Sequence, residues 1–135
     1  MERYRIIDHE ADTGFEVYGR TMEELFQNGV SALFSLIIET DALRPVAEKR
    51  IEAGGNGELF INFLNDIIYL WDTTGFIPAT ASVRIKGRSA EGLLKGEFFD
   101  PARHVVRQEV KAVTYHKFWI VEEKGALKAT VIVDV

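Results

Sequence analysis

Three acids and a histidine crowd into one short segment near the start of the chain, Asp8-His9-Glu10-Ala11-Asp12-Thr13-Gly14. Turn chemistry accounts for one of them, because an Asp side chain can satisfy nearby backbone N–H groups. Three together repel one another unless water or a shared cation relieves them. Hard carboxylate oxygens of this kind suit Mg²⁺, Mn²⁺ or Ca²⁺ better than zinc. The spacing leaves two readings open, a solvated polar turn and a divalent-cation site. A further acid, Asp134, lies beside the last residue, Val135. The run before it alternates and then becomes apolar on both faces, the pattern of an interior strand. A carboxylate at the tip of such a strand needs a donor, a cation or water. The terminal carboxylate on Val135 supplies a second anionic ligand if the native chain stops there.

Lys111 sits in the run Val110-Lys111-Ala112-Val113-Thr114-Tyr115, followed by His116. A lone Lys on a strand is ordinarily a solvated surface residue, and the same holds for His116. The alternative for Lys111 is a pairing with the carboxylates or contact with a phosphate. Gly54-Gly55-Asn56-Gly57, ahead of a helix, could present N–H groups to an anion. A tight turn into the helix is the better account of the glycines. The chain has no nucleophile elbow, P-loop, dinucleotide fingerprint or paired-histidine zinc helix.

The elements that must position these residues are readable from periodicity. Short strands are expected over 3–7 and 14–18, flanking the acidic segment. Thr21 opens a helix with Glu24 three residues on, a capping-box pattern, and apolar residues recur at helical spacing to about residue 38. A strand over 49–53 and a second apolar helix, Leu59 to Trp71, follow, with Gly75 and Pro78 ending the helix. Strand-like stretches then fill the remainder, including 83–85, 93–98, 108–115, 117–122 and 127–135. Strands grouped with two helices, without strict alternation, argue for an α+β sandwich in one domain spanning 1–135.

Composition bounds the function. At 135 residues, with 47% apolar and 27% charged residues, the chain suits a folded domain with its own core. It has no cysteine, which excludes disulfides, thiolate metal sites and a cysteine nucleophile, and fits a cytoplasmic location. No apolar run reaches the roughly 18 residues of a membrane span, and the start does not read as a signal peptide. The formal net charge is −5, which disfavours autonomous, non-specific nucleic-acid binding. The charge is uneven: residues 1–41 hold nine acids and three bases, whereas residues 84–117 hold eight Lys and Arg against four acids. That basic stretch could meet RNA or pair internally with the acidic N-terminal region.

Taken in order, these segments resemble the archease family. Asp8-His9-Glu10-Ala11-Asp12 is similar to the family's Asp-His-Thr-Ala-Asp signature. The Thr21–Phe34 helix, Phe63-Leu64-Asn65-Asp66-Ile67-Ile68-Tyr69, Val110–Tyr115 and the Val133-Asp134-Val135 ending follow in the family's order. Glu10 in place of Thr, and Thr13 in place of an aliphatic residue, depart from the pattern. The resemblance implies an α+β sandwich of β-sheet and two helices with a small inserted strand-helix-strand-strand module. It implies an accessory protein, not a stand-alone enzyme, whose partner is the RtcB-type RNA ligase of tRNA splicing. Such proteins promote guanylylation of the ligase's active-site histidine by GTP and sustain multiple turnover. The resemblance also implies a divalent cation (Ca, Mg or Mn) held by Asp12 and Asp134, with Lys111 as the functional lysine. Asp8 and His9 are then supporting or partner-contact residues. Two rival readings stand beside it. One is a metal-dependent hydrolase, for which only His9 or His116 offers a general base. The other is a metal-independent, chaperone-like binding module.

Overall fold

The computed structural model describes residues 2–8 and 12–135. Among them the chain forms β1 (Tyr4–Asp8), β2 (Thr13–Gly19), α1 (Met22–Ile37), β3 (Ala47–Ala53), α2 (Leu59–Thr74), β4 (Phe76–Lys86), β5 (Ser89–Phe98), β6 (Ala112–Val113), β7 (Trp119–Glu123) and β8 (Ala126–Asp134). Two antiparallel sheets result. One runs β1-β2-β8-β6, with β7 also paired to β8, and the other runs β3-β5-β4. The second sheet and α2 make up the inserted strand-helix-strand-strand unit. The class is the α+β sandwich the pattern predicts.

Local chemistry explains the helix ends. Thr21 caps α1 by accepting the Glu24 N–H at 3.1 Å, and the Glu24 carboxylate reaches back to the Arg20 N–H at 3.2 Å. Gly75 ends α2 in the left-handed region at φ 76°, which glycine adopts without steric cost, and its N–H closes on the Trp71 carbonyl. The expected stop at Pro78 is displaced. β4 starts directly at Phe76, and Pro78 lies inside it beside a register shift. A proline survives there because a bulge needs one ladder donor fewer.

The core lies where α1 and α2 cover the two sheets. Phe26 contacts Phe60 and Phe63 with ring centroids 4.9 and 5.4 Å apart, so each helix buries its apolar stripe partly against the other. Phe15 and Val17 of β2, with Val131 and Val133 of β8, form the sheet side of this core. Gly14 makes the close approach of these two strands possible. A Cβ there would stand 1.9 Å from the Val131 carbonyl oxygen, so only glycine lets β8 come so near β2.

The expected strand over 108–115 contracts to Ala112–Val113. After Thr114, residues 115–118 leave the edge of β8 before β7 resumes pairing at Trp119. That interruption lies at the end of the sheet that carries the acids.

Candidate functional site

The last ladder pair between β2 and β8 is Thr13 with Val133, and one step beyond it come Asp12 and Asp134. On the other edge of β8, Ala112 of β6 pairs with Asp134. Asp8 faces Thr13 from β1. One end of the five-stranded sheet thus gathers Asp8, Asp12, Lys111, Asp134 and Val135, which come from three separate stretches of the chain. Strand alternation sends Thr13, Phe15, Val131 and Val133 toward the core side, leaving the parity of Asp12 and Asp134 to the outer face. Asp134 and Val135 are exposed, and Asp12 is half-buried. His9, with Glu10, lies outside the described residues.

Lys111 is joined to this end by its backbone. Its N–H donates to the Asp134 carbonyl at 2.7 Å, while the side chain is exposed. Among the described residues, the Lys117 ammonium lies next to Asp12, with Nζ 3.1 Å from Oδ2, and the His116 ring stands near it, with Nε2 3.9 Å from Oδ1. Lys117 is a residue that periodicity does not single out, because the turn that directs it toward Asp12 is a tertiary feature.

The β6 segment is held in place by α2. The Asn65 side chain accepts the Val113 N–H at 2.7 Å and donates to the Val113 carbonyl at 3.0 Å. This two-point clamp fixes the segment next to Lys111 where the short strand offers few ladder bonds. Asn62 accepts a hydrogen bond from the Tyr115 hydroxyl at 3.3 Å. An Asn inside an otherwise apolar helix is the sequence signal for this anchor, but helical periodicity places it only on the polar side of the helix.

The donors present suit a hard cation, being carboxylate oxygens on the outer face of a sheet end. The Lys117 ammonium beside Asp12 demonstrates that this carboxylate accepts a positive charge. Among the described residues, no three His, Cys, Asp or Glu side chains cluster closely enough to hold a metal ion by themselves. A cation here would draw its oxygens from Asp12 and Asp134.

The basic stretch 84–117 pairs in part with the acidic N-terminal region. Arg107 bonds Glu39 at 2.6 Å, and Lys117 bonds Asp12. The hydrogen bond from Arg107 holds the Glu39 carboxyl below its ordinary range.

Residues 4–135 match the model of the archease protein family. The chain belongs to the archease family. It is 35% identical to a protein named archease from Archaeoglobus fulgidus, over 98% of this chain and 99% of that protein. An archease from Methanopyrus kandleri is 37% identical, over 95% of this chain and 96% of that one. The solution structure of Methanobacterium thermoautotrophicum protein 1598 superposes with a TM-score of 0.77 at 29% identity, covering all of both chains. A Thermotoga maritima crystal structure, described as an archease and possible chaperone, shares the fold with a TM-score of 0.63 at 24% identity, over 96% of this chain and 94% of that one. Asp8 and Asp12, which flank the segment resembling the family signature, and Asp134 come to one sheet end.

Proposed function

We propose that this archease is an accessory protein that activates an RtcB-type RNA ligase of tRNA splicing by promoting guanylylation of the ligase's active-site histidine. The observation that supports this reading most is the meeting of Asp12, Lys111, Asp134 and Val135 at one end of the sheet, from separate segments of the chain. In this reading Asp12 and Asp134 hold a divalent cation. When bound, it supplies charge neutralisation next to triphosphate oxygens. Lys111, exposed beside these acids, supplies a flexible positive charge toward the same anion. The sheet end docks at the ligase's nucleotide pocket, where placement of these groups favours in-line attack on the α-phosphate of GTP. The protein works in the cytoplasm and reaches RNA through its partner.

The test is a guanylylation assay of the ligase with GTP at saturating metal, with and without this chain. Asp12→Asn and Asp134→Asn are each expected to lower the stimulated rate by about tenfold or more. Full stimulation by both variants would sink the metal-dependent reading. A second reading, a metal-independent chaperone-like module, draws on the description of the Thermotoga maritima protein as a possible chaperone. It predicts that the Asp12→Asn and Asp134→Asn chains stimulate as fully as the wild type.

A further inference from the structure

The carboxylate of Asp12 already has a cation supplied by the chain itself. Lys117 reaches it from the 114–118 segment, which is fastened on both sides. Before it, the Thr114 N–H and hydroxyl both donate to the Ile132 carbonyl, at 3.0 and 2.9 Å. After it, the Phe118 ring packs on Phe60 with centroids 5.9 Å apart, and the Phe118 N–H closes on the Tyr115 carbonyl at 3.1 Å. Lys117 itself stands at φ 54°, the left-handed region that non-glycine residues seldom occupy. The segment is therefore a short arch between two anchors, with Lys117 at its turn and the ammonium placed on Asp12.

A divalent ion bonded to Asp12 Oδ2 would sit about 2.0–2.6 Å from that oxygen. The Lys117 ammonium fills the neighbouring space at 3.1 Å. Two cations at one carboxylate oxygen repel each other, and the ammonium must leave or move outward. We infer that Lys117 is an internal counter-ion of Asp12 that a divalent cation displaces, so that the 114–118 arch shifts and cation affinity is reduced. This rests on the metal reading proposed above and adds the regulation of that site. It gives the weak, exchangeable binding expected of a cation that is loaded and released. It also gives the arch two positions, with Lys117 on Asp12 or freed beside the sheet end. Trp119, half exposed at the start of β7 and two residues from Lys117, reports on the change.

Calorimetric titration of the purified chain with Ca²⁺ and with Mg²⁺ tests this, alongside tryptophan fluorescence. Lys117→Gln is expected to bind the cation about two- to fivefold more tightly than the wild type, the worth of a partly exposed ion pair. Lys117→Arg, which keeps the positive charge, is expected to stay near wild-type affinity. The cation-induced fluorescence change seen in the wild type is expected to shrink in Lys117→Gln. Unchanged or weaker binding by Lys117→Gln, with binding abolished in Asp12→Asn, overturns the counter-ion role and leaves the metal reading standing. Absence of binding in both the wild type and Lys117→Gln, or undiminished binding in Asp12→Asn, overturns the metal reading and the counter-ion role with it.

Discussion

At the scale of single residues, Asn65 illustrates how a site can depend on a side chain that carries no chemistry of its own. Its amide satisfies both backbone groups of Val113, so its loss strands a donor and an acceptor at a poorly laddered position. Asn65→Ala is expected to destabilise the chain by about 2 kcal/mol, measurable by chemical or thermal unfolding. Asn65→Asp can still accept the Val113 N–H but cannot donate to its carbonyl. Hydrogen exchange at the Val113 amide should thus be fastest in the Ala variant and intermediate in the Asp variant. Equal exchange in all three proteins would show that β8 alone holds the strand. Asp134 is legible in the sequence because an acid at the tip of an apolar strand stands out, whereas only the family resemblance singles out Asp12 among its neighbouring acids. Lys117 is not legible, since an exposed lysine beside a strand looks like any other until the turn bends it back.

At the scale of elements, α1 and α2 follow from apolar spacing and end where capping chemistry ends them. The β2–β8 pair owes its closeness to Gly14, opposite Ile132 in register. Gly14→Ala would drive a methyl group into the Val131 carbonyl, a backbone atom that cannot swing away as a side chain can. The expected cost is about 3 kcal/mol, read as a lowered denaturation midpoint with an unchanged m-value. A variant as stable as the wild type would mean that the strands separate without penalty. Sequence alternation found β8 and its partners β2 and β7 but overextended its third partner, the strand around Lys111. The residues after Val113 have strand-like character, yet the chain leaves the edge after Thr114, whose N–H and hydroxyl both reach the Ile132 carbonyl. Local propensity cannot report where the pairing stops, because the partner is a strand distant in sequence.

At the scale of the whole molecule, the chain enters the three-stranded sheet after α1 and leaves it after β5, and one buried carboxylate joins the two crossings. Glu97 accepts the Arg44 N–H at 2.6 Å from the entering segment, and bonds Arg103 and His104 of the leaving one, the latter at 3.1 Å. Burial pushes this carboxyl up, but the Arg44 N–H and the charges of Arg103, His104 and Arg44 outweigh it and hold it below the ordinary 4.5. A depressed folded-state value stabilises the fold above the ordinary value and loses that contribution as pH falls through the folded one. Glu97→Gln is therefore expected to cost about 2 kcal/mol near neutrality, with the gap from wild type closing only in acid, below the ordinary 4.5. Unfolding midpoints of both proteins, followed from neutral pH into strong acid, check this. A gap that does not vary with pH would exclude the carboxylate's charge as its cause. The sequence by itself determined the fold class, both helices, the acids at the two chain ends and the family resemblance, because periodicity, capping and residue type act over a few neighbours. Only the tertiary structure decided that Asp12 and Asp134 stand one step beyond the same ladder pair, that Asn65 holds the Lys111 strand, and that Lys117 sits on Asp12. Those relations join residues far apart in the chain, and strand register and turn direction, not local preference, bring them together.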